Sequence, residues 1–245
     1  MENDTHIDFT NVYEDTKRSE SYAKLEFPGT YYLAYRDIPG IISKHVKGKN
    51  ALDFGCGTGR STRFLKNHGY KAIGIDISST MISKAKEFDP AGDYRIINEG
   101  DFDKLSKNYF DLVLSVFTFD NIPVVEKRVK LLSELSGLLD ENGIILLLDS
   151  TPDIYMNEWA SFSTKDYPEN KNVKSGGKVK IIMKDVEDRR PVEDIIWFEK
   201  DYLELFDKCN LKLIDSKKPL AKIEEPYNWI SETKIAPWII YVLKK

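Results

Sequence analysis

The sequence predicts an α/β protein whose core is a mostly parallel sheet, and three features of the chain lead to this fold class. First, a glycine-rich turn joins a short apolar run to a helical pattern near residue 55. Second, further short apolar runs alternate with helical patterns as far as about residue 150, as they do in βαβ units. Third, 245 residues, of which 41% are hydrophobic and 31% charged, suit one large domain or one domain with an insertion.

The glycine-rich turn is the feature around which the sheet is expected to form. The apolar run Ala51–Phe54 is followed by Gly55, Gly57 and Gly59, and a helical pattern begins at Arg60. Alternate glycines permit a tight turn and let bare backbone approach a ligand. The N-terminus of the next helix adds unpaired N–H groups and a partial positive charge. The turn therefore predicts a site for a polar, partly anionic small molecule at the carboxyl end of a strand.

The spacing of the turn also narrows the class of cofactor. A dinucleotide-binding turn, Gly-x-Gly-x-x-Gly, requires a glycine where the sequence has Arg60. Read as apolar-apolar-Asp-apolar-Gly-x-Gly-x-Gly, residues 51–59 resemble motif I of the class I S-adenosylmethionine-dependent methyltransferases. The segments that follow resemble that family in the same order.

The second and third apolar segments each carry an acidic residue at their end. Lys71–Asp76 reads as a strand, and Asp76 stands where an acid accepts the two ribose hydroxyls of a nucleoside cofactor. The segment Tyr94–Phe102 ends in Gly-Asp-Phe. The resemblance implies that Asp101 accepts the adenine amino group and that Phe102 packs against the ring.

Two further segments complete the series. Phe110–Phe117 resembles motif IV, a strand that runs into the active site in this family. A helical pattern over Val124–Leu139 and a polar turn lead into a fifth strand at residues 144–149. From strand position, Ser115 and Phe117 are expected to offer their carbonyl groups to the amine of the cofactor.

The resemblance implies S-adenosylmethionine as the cofactor and S-adenosylhomocysteine as its product. It also implies a Rossmann-like seven-stranded, mostly parallel sheet of order 3-2-1-4-5-7-6, with strand 7 antiparallel. The residues expected to contact the cofactor are Tyr22, Arg36, Asp53, Gly55, Cys56, Gly57, Thr58, Gly59, Asp76, Ile77, Met81, Gly100, Asp101, Phe102, Ser115 and Phe117.

An N-terminal helical cap is expected before the first strand. The helical pattern Tyr31–Val46 contains Pro39, which predicts a kink or two short helices. In the family, such helices fold over the cofactor and close one side of the pocket. Tyr22 and Arg36 are therefore candidates to meet the methionine end of the cofactor, and Tyr32 lies on the substrate side. Alternatively, the tyrosines simply pack and Arg36 is a solvated helix residue.

After residue 150 the chain departs from the minimal fold of the family. Val179–Val186 and Val192–Phe198 have strand patterns separated by a turn, which predicts a hairpin or small antiparallel sheet. Such insertions build the substrate pocket in small-molecule methyltransferases of this class, and a dimer surface or a structural cap is the alternative. Leu211–Asp215 and Trp238–Leu243 read as the sixth and seventh strands. The substrate-side candidates are Tyr32, Asn121, Trp159, Tyr167 and Trp197.

The tail of the fourth strand is where acceptor chemistry is expected. Methyl transfer is an in-line displacement, which needs an aligned nucleophile that is unprotonated or loses its proton as it attacks. Many relatives carry a pair of histidines where this chain has Asp120 and Asn121. Asp120 is the catalytic candidate, as a general base or hydrogen-bond acceptor, and a turn role before Pro123 is the alternative. The three histidines match no motif position.

Composition excludes several classes of function. The formal net charge is −4 and the basic residues are spread along the chain, which argues against nucleic-acid binding. Two cysteines cannot form a disulfide framework or a zinc site, so no metal is expected, and they indicate a reducing cytoplasm. The polar segment Met1–His6 does not read as a signal peptide, and no apolar run approaches the roughly 18 residues of a membrane span.

The sequence thus predicts a cytoplasmic enzyme that methylates a nucleophilic N, O or C atom of a small molecule, as a monomer or a homodimer. One alternative is a protein that binds S-adenosylmethionine without turnover. Another is an NAD-dependent oxidoreductase, which shares Asp76 and a glycine turn but lacks the third spaced glycine here. One domain is expected over residues 1–245, divided into a helical cap (1–46), a cofactor core (47–150), a substrate-side insertion (151–199) and the C-terminal part of the sheet (200–245).

Overall fold

The structure, a computed structural model, describes residues 28–98 and 100–245 and contains two sheets. The strands are β1 (Asn50–Phe54), β2 (Lys71–Asp76), β3 (Asp93–Ile96), β4 (Phe110–Val116), β5 (Leu139–Ser150), β6 (Phe162–Ser163), β7 (Lys178–Met183), β8 (Val192–Ile195), β9 (Lys212–Lys217) and β10 (Trp238–Lys244). The α-helices in the described residues are α1 (Thr30–Arg36), α2 (Ile38–His45), α3 (Arg60–Asn67), α4 (Ser79–Phe88), α5 (Val125–Leu138) and α6 (Glu199–Lys208).

The larger sheet has seven strands in the order β3-β2-β1-β4-β5-β10-β9. The first five pair in parallel, whereas β10 is antiparallel to both β5 and β9. The predicted α/β class is therefore confirmed. The strand labels differ in detail from the predicted order because three strands of the second sheet precede β9 along the chain. Parallel pairing brings the carboxyl ends of β1, β2 and β4 to one edge of the sheet.

The second sheet confirms the predicted insertion. Its strands β6, β7 and β8 pair antiparallel, with Phe162 opposite Met183 and Lys178 opposite Ile195. Both hairpin strands end earlier than the sequence pattern suggested. β7 stops at Met183, whose carbonyl accepts a hydrogen bond from Arg189, and β8 stops before the residues that lead into α6.

Within residues 28–46, the described part of the N-terminal cap, there are two short helices, as Pro39 predicted. α1 ends at Arg36, and Pro39 lies in the first turn of α2, where its missing N–H group costs no helical hydrogen bond. None of the helices within residues 28–98 and 100–245 combines the length and the hydropathy that crossing a membrane would need.

Apolar layers cover both faces of the larger sheet. Alternate residues of β4 point to opposite faces, so that Leu112 and Leu114 join one core cluster and Val113 joins the other. The first cluster also contains apolar residues of α1, α2 and most of those of the second sheet, and the second contains those of α5 and α6. The cap and the second sheet thus lie on the same face and meet near the carboxyl ends of the strands.

Candidate active site

A cavity of about 540 Å³ opens at the carboxyl edge of the larger sheet, a volume typical of small-molecule sites. The sheet order divides its lining in two. We call the part over β1 and β2 the glycine-turn half; it includes Gly55–Thr58, Asp76–Ser78, Met81, Ile97 and Gly100. We call the part over β4, β5 and β10 the insertion half; it includes Tyr31, Phe117, Asp120, Asn121, Ser150, Tyr155, Phe162, Val192–Asp194 and Trp238.

Backbone conformation explains why the turn after β1 requires glycine. Gly55 and Gly57 have φ angles of 72° and 52°, in the left-handed region that side chains disfavour. A Cβ atom at Gly55 would collide with the Thr118 side chain, whereas one at Gly57 would meet no heavy atom within 4 Å. The backbone at Gly57 therefore lies bare against open space in the cavity, which fits a closely bound ligand.

Asp76 is fixed at the lip of this turn by two backbone donors. The Gly57 N–H donates to Oδ2 at 2.9 Å and the Ser78 N–H donates to Oδ1 at 2.8 Å. Burial raises the pKa of Asp76, and these backbone hydrogen bonds oppose that effect. A carboxylate held in this way has acceptor capacity left for ligand hydroxyl groups, because each oxygen can accept two hydrogen bonds.

Asp53 lies beneath the turn and does not line the cavity. Its Oδ2 accepts hydrogen bonds from Ser61 Oγ at 2.7 Å and Thr62 Oγ1 at 2.5 Å, which fixes the start of α3 to β1. Its Oδ1 has no hydrogen-bond partner among the described residues. Burial raises the pKa of Asp53 to about 6, against the effect of the two hydroxyl donors.

Some of the residues predicted to contact the cofactor line the cavity, and others do not. Cys56, Thr58, Ile77, Met81, Gly100 and Phe117 line the cavity. Asp101 is exposed outside the lining, and Phe102 is buried against the Phe54 ring with centroids 6.1 Å apart. Ser115 is also buried outside the lining, and so is the backbone turn at Gly59, whose φ is 79°.

Asp120 lies in a 3₁₀ turn, Phe119–Asn121, directly after β4. The Ser150 hydroxyl donates to its Oδ2 at 3.0 Å and Asn121 Nδ2 donates to its Oδ1 at 3.1 Å. Burial raises the pKa of Asp120, whereas the hydrogen bonds from Ser150 and the positive charge of Arg128 lower it. Asp120 is thus a buried carboxylate that faces the cavity and holds a proton more readily than an exposed one.

Sequence reasoning missed the residues that continue this polar wall. Tyr155 follows β5, and its hydroxyl donates to Asp194 Oδ2 on β8 at 3.3 Å. Ser150, Tyr155 and Asp194 all line the cavity next to Asp120. The available signal was the position of Ser150 at the carboxyl end of the fifth strand, where ligands bind in parallel sheets. No local pattern pointed to Tyr155 or Asp194.

Aromatic rings form the rest of the insertion half. The Phe117 and Trp238 ring centroids are 4.6 Å apart, and those of Tyr31 and Phe162 are 5.0 Å apart. Phe117 is placed at the mouth of β4 by a left-handed φ of 52°, an uncommon conformation for a bulky residue. Its carbonyl accepts a hydrogen bond from Asn121 Nδ2 at 3.1 Å.

A second buried charge cluster lies behind Asp120. The Arg128 guanidinium is stacked between the rings of Trp197 and Tyr202, 4.1 Å and 4.6 Å from their centroids. Burial and the nearby charge of Asp120 raise the pKa of Asp149 well above its usual range, and Arg128 opposes this. Trp197, a predicted substrate-side residue, therefore packs in the core against Arg128 and does not line the cavity.

Other predicted substrate-side residues also lie outside the lining. Tyr32 packs against the ring of Tyr227. Trp159 is fully buried, with its Nε1 donating to the Ile154 carbonyl at 2.8 Å, and Tyr167 lines a separate pocket of about 210 Å³.

Two predicted cofactor contacts from the cap remain. Arg36 does not line the cavity, because its guanidinium pairs with Asp37 at 2.9 Å and with Glu225 at 2.8 Å. Tyr22 lies outside the described residues.

Glu232 joins three segments that surround the insertion half. Its Oε1 accepts hydrogen bonds from Thr30 Oγ1 on α1 and from the Ala160 N–H before β6, both at 2.7 Å. Its Oε2 accepts from the Ile230 N–H at 2.8 Å and the Ser231 N–H at 3.1 Å. This fully buried carboxylate fixes the cap, the insertion and the segment before β10 to one another.

Comparison with known proteins finds methyltransferases. A family model of the methyltransferase domain matches residues 52–147, from β1 to β5. An uncharacterized methyltransferase of Geobacillus thermodenitrificans is 32% identical over 147 residues, which cover 58% of this chain and 67% of that protein. An uncharacterized methyltransferase of Schizosaccharomyces pombe is 39% identical over 77 residues, or 30% of this chain. The chain spans about half the length of that relative, 53%.

The likeness in fold extends beyond the matched segment. The crystal structure of an S-adenosylmethionine-dependent methyltransferase from Clostridium acetobutylicum has a TM-score of 0.59 against this chain at 14% sequence identity. The alignment covers 91% of this chain and 93% of that chain, so the shared fold includes the region after β5.

Proposed function

The chain belongs to the class I S-adenosylmethionine-dependent methyltransferases, and on this basis we propose that it transfers the methyl group of S-adenosylmethionine to a nucleophilic N, O or C atom of a small molecule. One observation carries the proposal. A single cavity joins the glycine turn after β1 to the buried Asp120 after β4. A cofactor over the turn and an acceptor beside Asp120 would therefore share one space.

S-adenosylmethionine is the cofactor of this family, and the glycine-turn half fits it. When bound, it supplies an electrophilic methyl group on a positively charged sulfur. The bare backbone at Gly57 permits close approach, Asp76 accepts hydroxyl groups of the ribose, and Ile77, Met81 and Ile97 offer apolar contact for the base. We propose direct contacts from Gly55, Cys56, Gly57, Thr58, Asp76, Ile77, Met81, Gly100 and Phe117, with Asp53, Gly59, Phe102 and Ser115 supporting the turn and the strand ends from beneath.

The insertion half would hold and deprotonate the acceptor. We propose Asp120 as the proton acceptor, because its raised pKa makes its carboxylate a better base than an exposed one. Ser150 and Asn121 orient that carboxylate by donating to its two oxygens. The rings of Phe117, Phe162 and Trp238 exclude water from the reacting atoms. The cavity volume of about 540 Å³ suits a small molecule better than a protein side chain presented on a large partner.

The location and the division of the chain complete the proposal. We propose the cytoplasm as the site of action, since Cys56 and Cys209 are both free thiols. We also propose that residues 151–199 act as the substrate-side insertion of one methyltransferase domain.

Calorimetric titration with S-adenosylmethionine, S-adenosylhomocysteine and NADH tests the cofactor assignment. Asp76→Asn should weaken the binding of both adenosyl compounds at least tenfold, because it removes an acceptor whose charge strengthens the hydrogen bonds to the ribose. Asp93→Asn is the matched control, since Asp93 is exposed at the start of the neighbouring strand β3 and should leave affinity unchanged. Binding of NADH alone would identify an oxidoreductase instead.

Turnover is measured separately, as release of S-adenosylhomocysteine over a panel of small amines, alcohols and acids. Asp120→Asn should lower kcat at least a hundredfold and leave cofactor affinity unchanged. If the variant binds the cofactor and its kcat equals that of the unaltered chain, the proposed role of Asp120 is contradicted.

A further inference from the structure

The insertion half carries a further inference, which rests on the proposed function and concerns the chemical class of the acceptor. We propose that the methyl acceptor is a basic amine with an apolar body, whose nitrogen lies against the carboxylates of Asp120 and Asp194 while its body lies against the aromatic rings.

Charge is the first observation. Asp120, Glu193 and Asp194 are acidic residues in the lining of the insertion half, and Glu193 forms an ion pair with Lys178 at 2.7 Å. The cations in the described lining are Arg60 and Lys127, and the Arg60 guanidinium lies where the two halves meet, 5.8 Å from the centroid of the Tyr31 ring. Arg60 directly follows the glycine turn, and Lys127 is on α5, the helix that also approaches Gly100 through Lys130 and Glu134. An acceptor nitrogen beside Asp120 and Asp194 thus meets two acidic side chains.

The polar atoms of the aromatic wall are the second observation. The Trp238 indole N–H donates to the Thr30 carbonyl at 2.8 Å, and the Tyr31 hydroxyl donates to the Met183 sulfur at 3.2 Å. These donors are therefore engaged within the protein, and the wall presents ring surface to the cavity. Ring faces attract cations and pack against apolar groups, so they suit both parts of an amine.

The carboxylates then determine which functional group fits. Ionised carboxylates accept hydrogen bonds and cannot donate them, so they bind an ammonium or amine N–H and repel a carboxylate or a phosphate. Tyr155 lies between the two carboxylates, because its hydroxyl donates to Asp194 and also lies close to the charge of Asp120. An amine nitrogen held by Asp194 would therefore lie within the same polar wall as the proposed base.

The chemistry balances with these residues. A bound ammonium first gives one proton to the Asp120 carboxylate, which leaves a nitrogen lone pair. That lone pair forms the N–C bond to the methyl group as the C–S bond breaks, and the C–S electron pair stays on sulfur. The positive charge moves from sulfur to the methylated nitrogen, which remains beside the two carboxylates. The proton on Asp120 leaves to solvent when the product departs.

The test uses matched triplets of small molecules that differ in one group. Each of several aliphatic and aromatic skeletons is supplied as the primary amine, the alcohol and the carboxylic acid. Binding to the full chain saturated with S-adenosylhomocysteine is measured by calorimetry and ligand-observed NMR. We expect each amine to bind at least tenfold more tightly than the alcohol and the carboxylic acid of the same skeleton. A preference for alcohols or acids, or no amine binding at all, overturns the inference.

Asp194→Asn and Glu187→Gln form the variant pair. Asp194→Asn should reduce the amine preference at least tenfold, and Glu187→Gln, an exposed change on the same insertion, should leave it intact. Equal preferences in the two variants would overturn the role of Asp194. If Asp194→Asn does not fold, the preference of the unaltered chain decides the acceptor class. Loss of S-adenosylhomocysteine binding in the unaltered chain would instead contradict the proposed function, so the two failures are distinguishable.

Discussion

Asp53 illustrates how a single residue supports the site from outside the cavity. Folding removes its carboxylate from water completely, and the hydroxyl groups of Ser61 and Thr62 compensate only in part, since its pKa still rises to about 6. The folded chain therefore binds this proton more tightly than the unfolded chain does. The contribution of Asp53 to the free energy of unfolding is therefore greatest below its usual pKa of 3.8, and it is lost as the pH rises through about 6.

We predict that Asp53→Asn changes the pH dependence of stability in a defined direction. Between pH 5 and pH 7.5, the free energy of unfolding of this variant should rise by about 1 kcal/mol relative to the unaltered chain, because Asn bears no charge to bury. Urea denaturation at both pH values measures the difference. Asp93→Asn, at an exposed position, should show no such trend. A pH-independent difference for Asp53→Asn would contradict its raised pKa.

At the scale of residues, local order along the chain decided what could be predicted. Gly57 and Asp76 belong to strand–turn units whose geometry follows from nearby sequence, and the structure brings them together at one hydrogen bond. Tyr155 and Asp194 meet only because the second sheet packs against the turns after β4 and β5, an arrangement that no local pattern encodes. Arg36 has the chemistry for a cofactor contact, but its nearest acids, Asp37 and Glu225, bind it instead.

At the scale of elements, Glu232 joins α1, the start of the insertion and the segment before β10. We predict that Glu232→Ala lowers the free energy of unfolding by about 3 kcal/mol, because it leaves one buried donor and several part-buried donors without their acceptor. Urea denaturation measures the loss. Glu232→Gln keeps one carboxamide oxygen as an acceptor, so its free energy of unfolding should fall by less than that of Glu232→Ala.

Glu224→Ala is the matched control for this element, because Glu224 is exposed in the same connection. Its midpoint in urea should equal that of the unaltered chain. Equal midpoints for Glu224→Ala and Glu232→Ala would show that the connection contributes nothing to the stability of the cap.

Element type followed from the sequence more readily than element position. Apolar runs predicted the strands of the larger sheet and the inserted hairpin, and Pro39 predicted the break between α1 and α2. The ends of β7 and β8 shifted because the residues beyond them make other contacts, such as that of Arg189 with the Met183 carbonyl. Trp159 and Trp197 were expected in the pocket, but large aromatic side chains serve a core equally well, and both are buried there.

At the scale of the molecule, a ligand that binds only the folded chain should stabilise all of it. At a hundred times its Kd, S-adenosylhomocysteine should raise the free energy of unfolding by about 2.7 kcal/mol. For a chain of this size, that predicts a rise in Tm of roughly 5–10 °C. Differential scanning calorimetry measures the shift. Asp76→Asn at the same ligand concentration should show a much smaller one, and equal shifts would place the ligand away from Asp76.

The position of β10 has a consequence for how the chain is made. β10 lies between β5 and β9 in the larger sheet, and its first residue, Trp238, is part of the aromatic wall. A ribosome releases β9 before β10, so β9 has no partner in the sheet until β10 follows it. The nascent chain can assemble its glycine turn early, yet the wall that would select the acceptor closes only in one late step, together with the sheet itself.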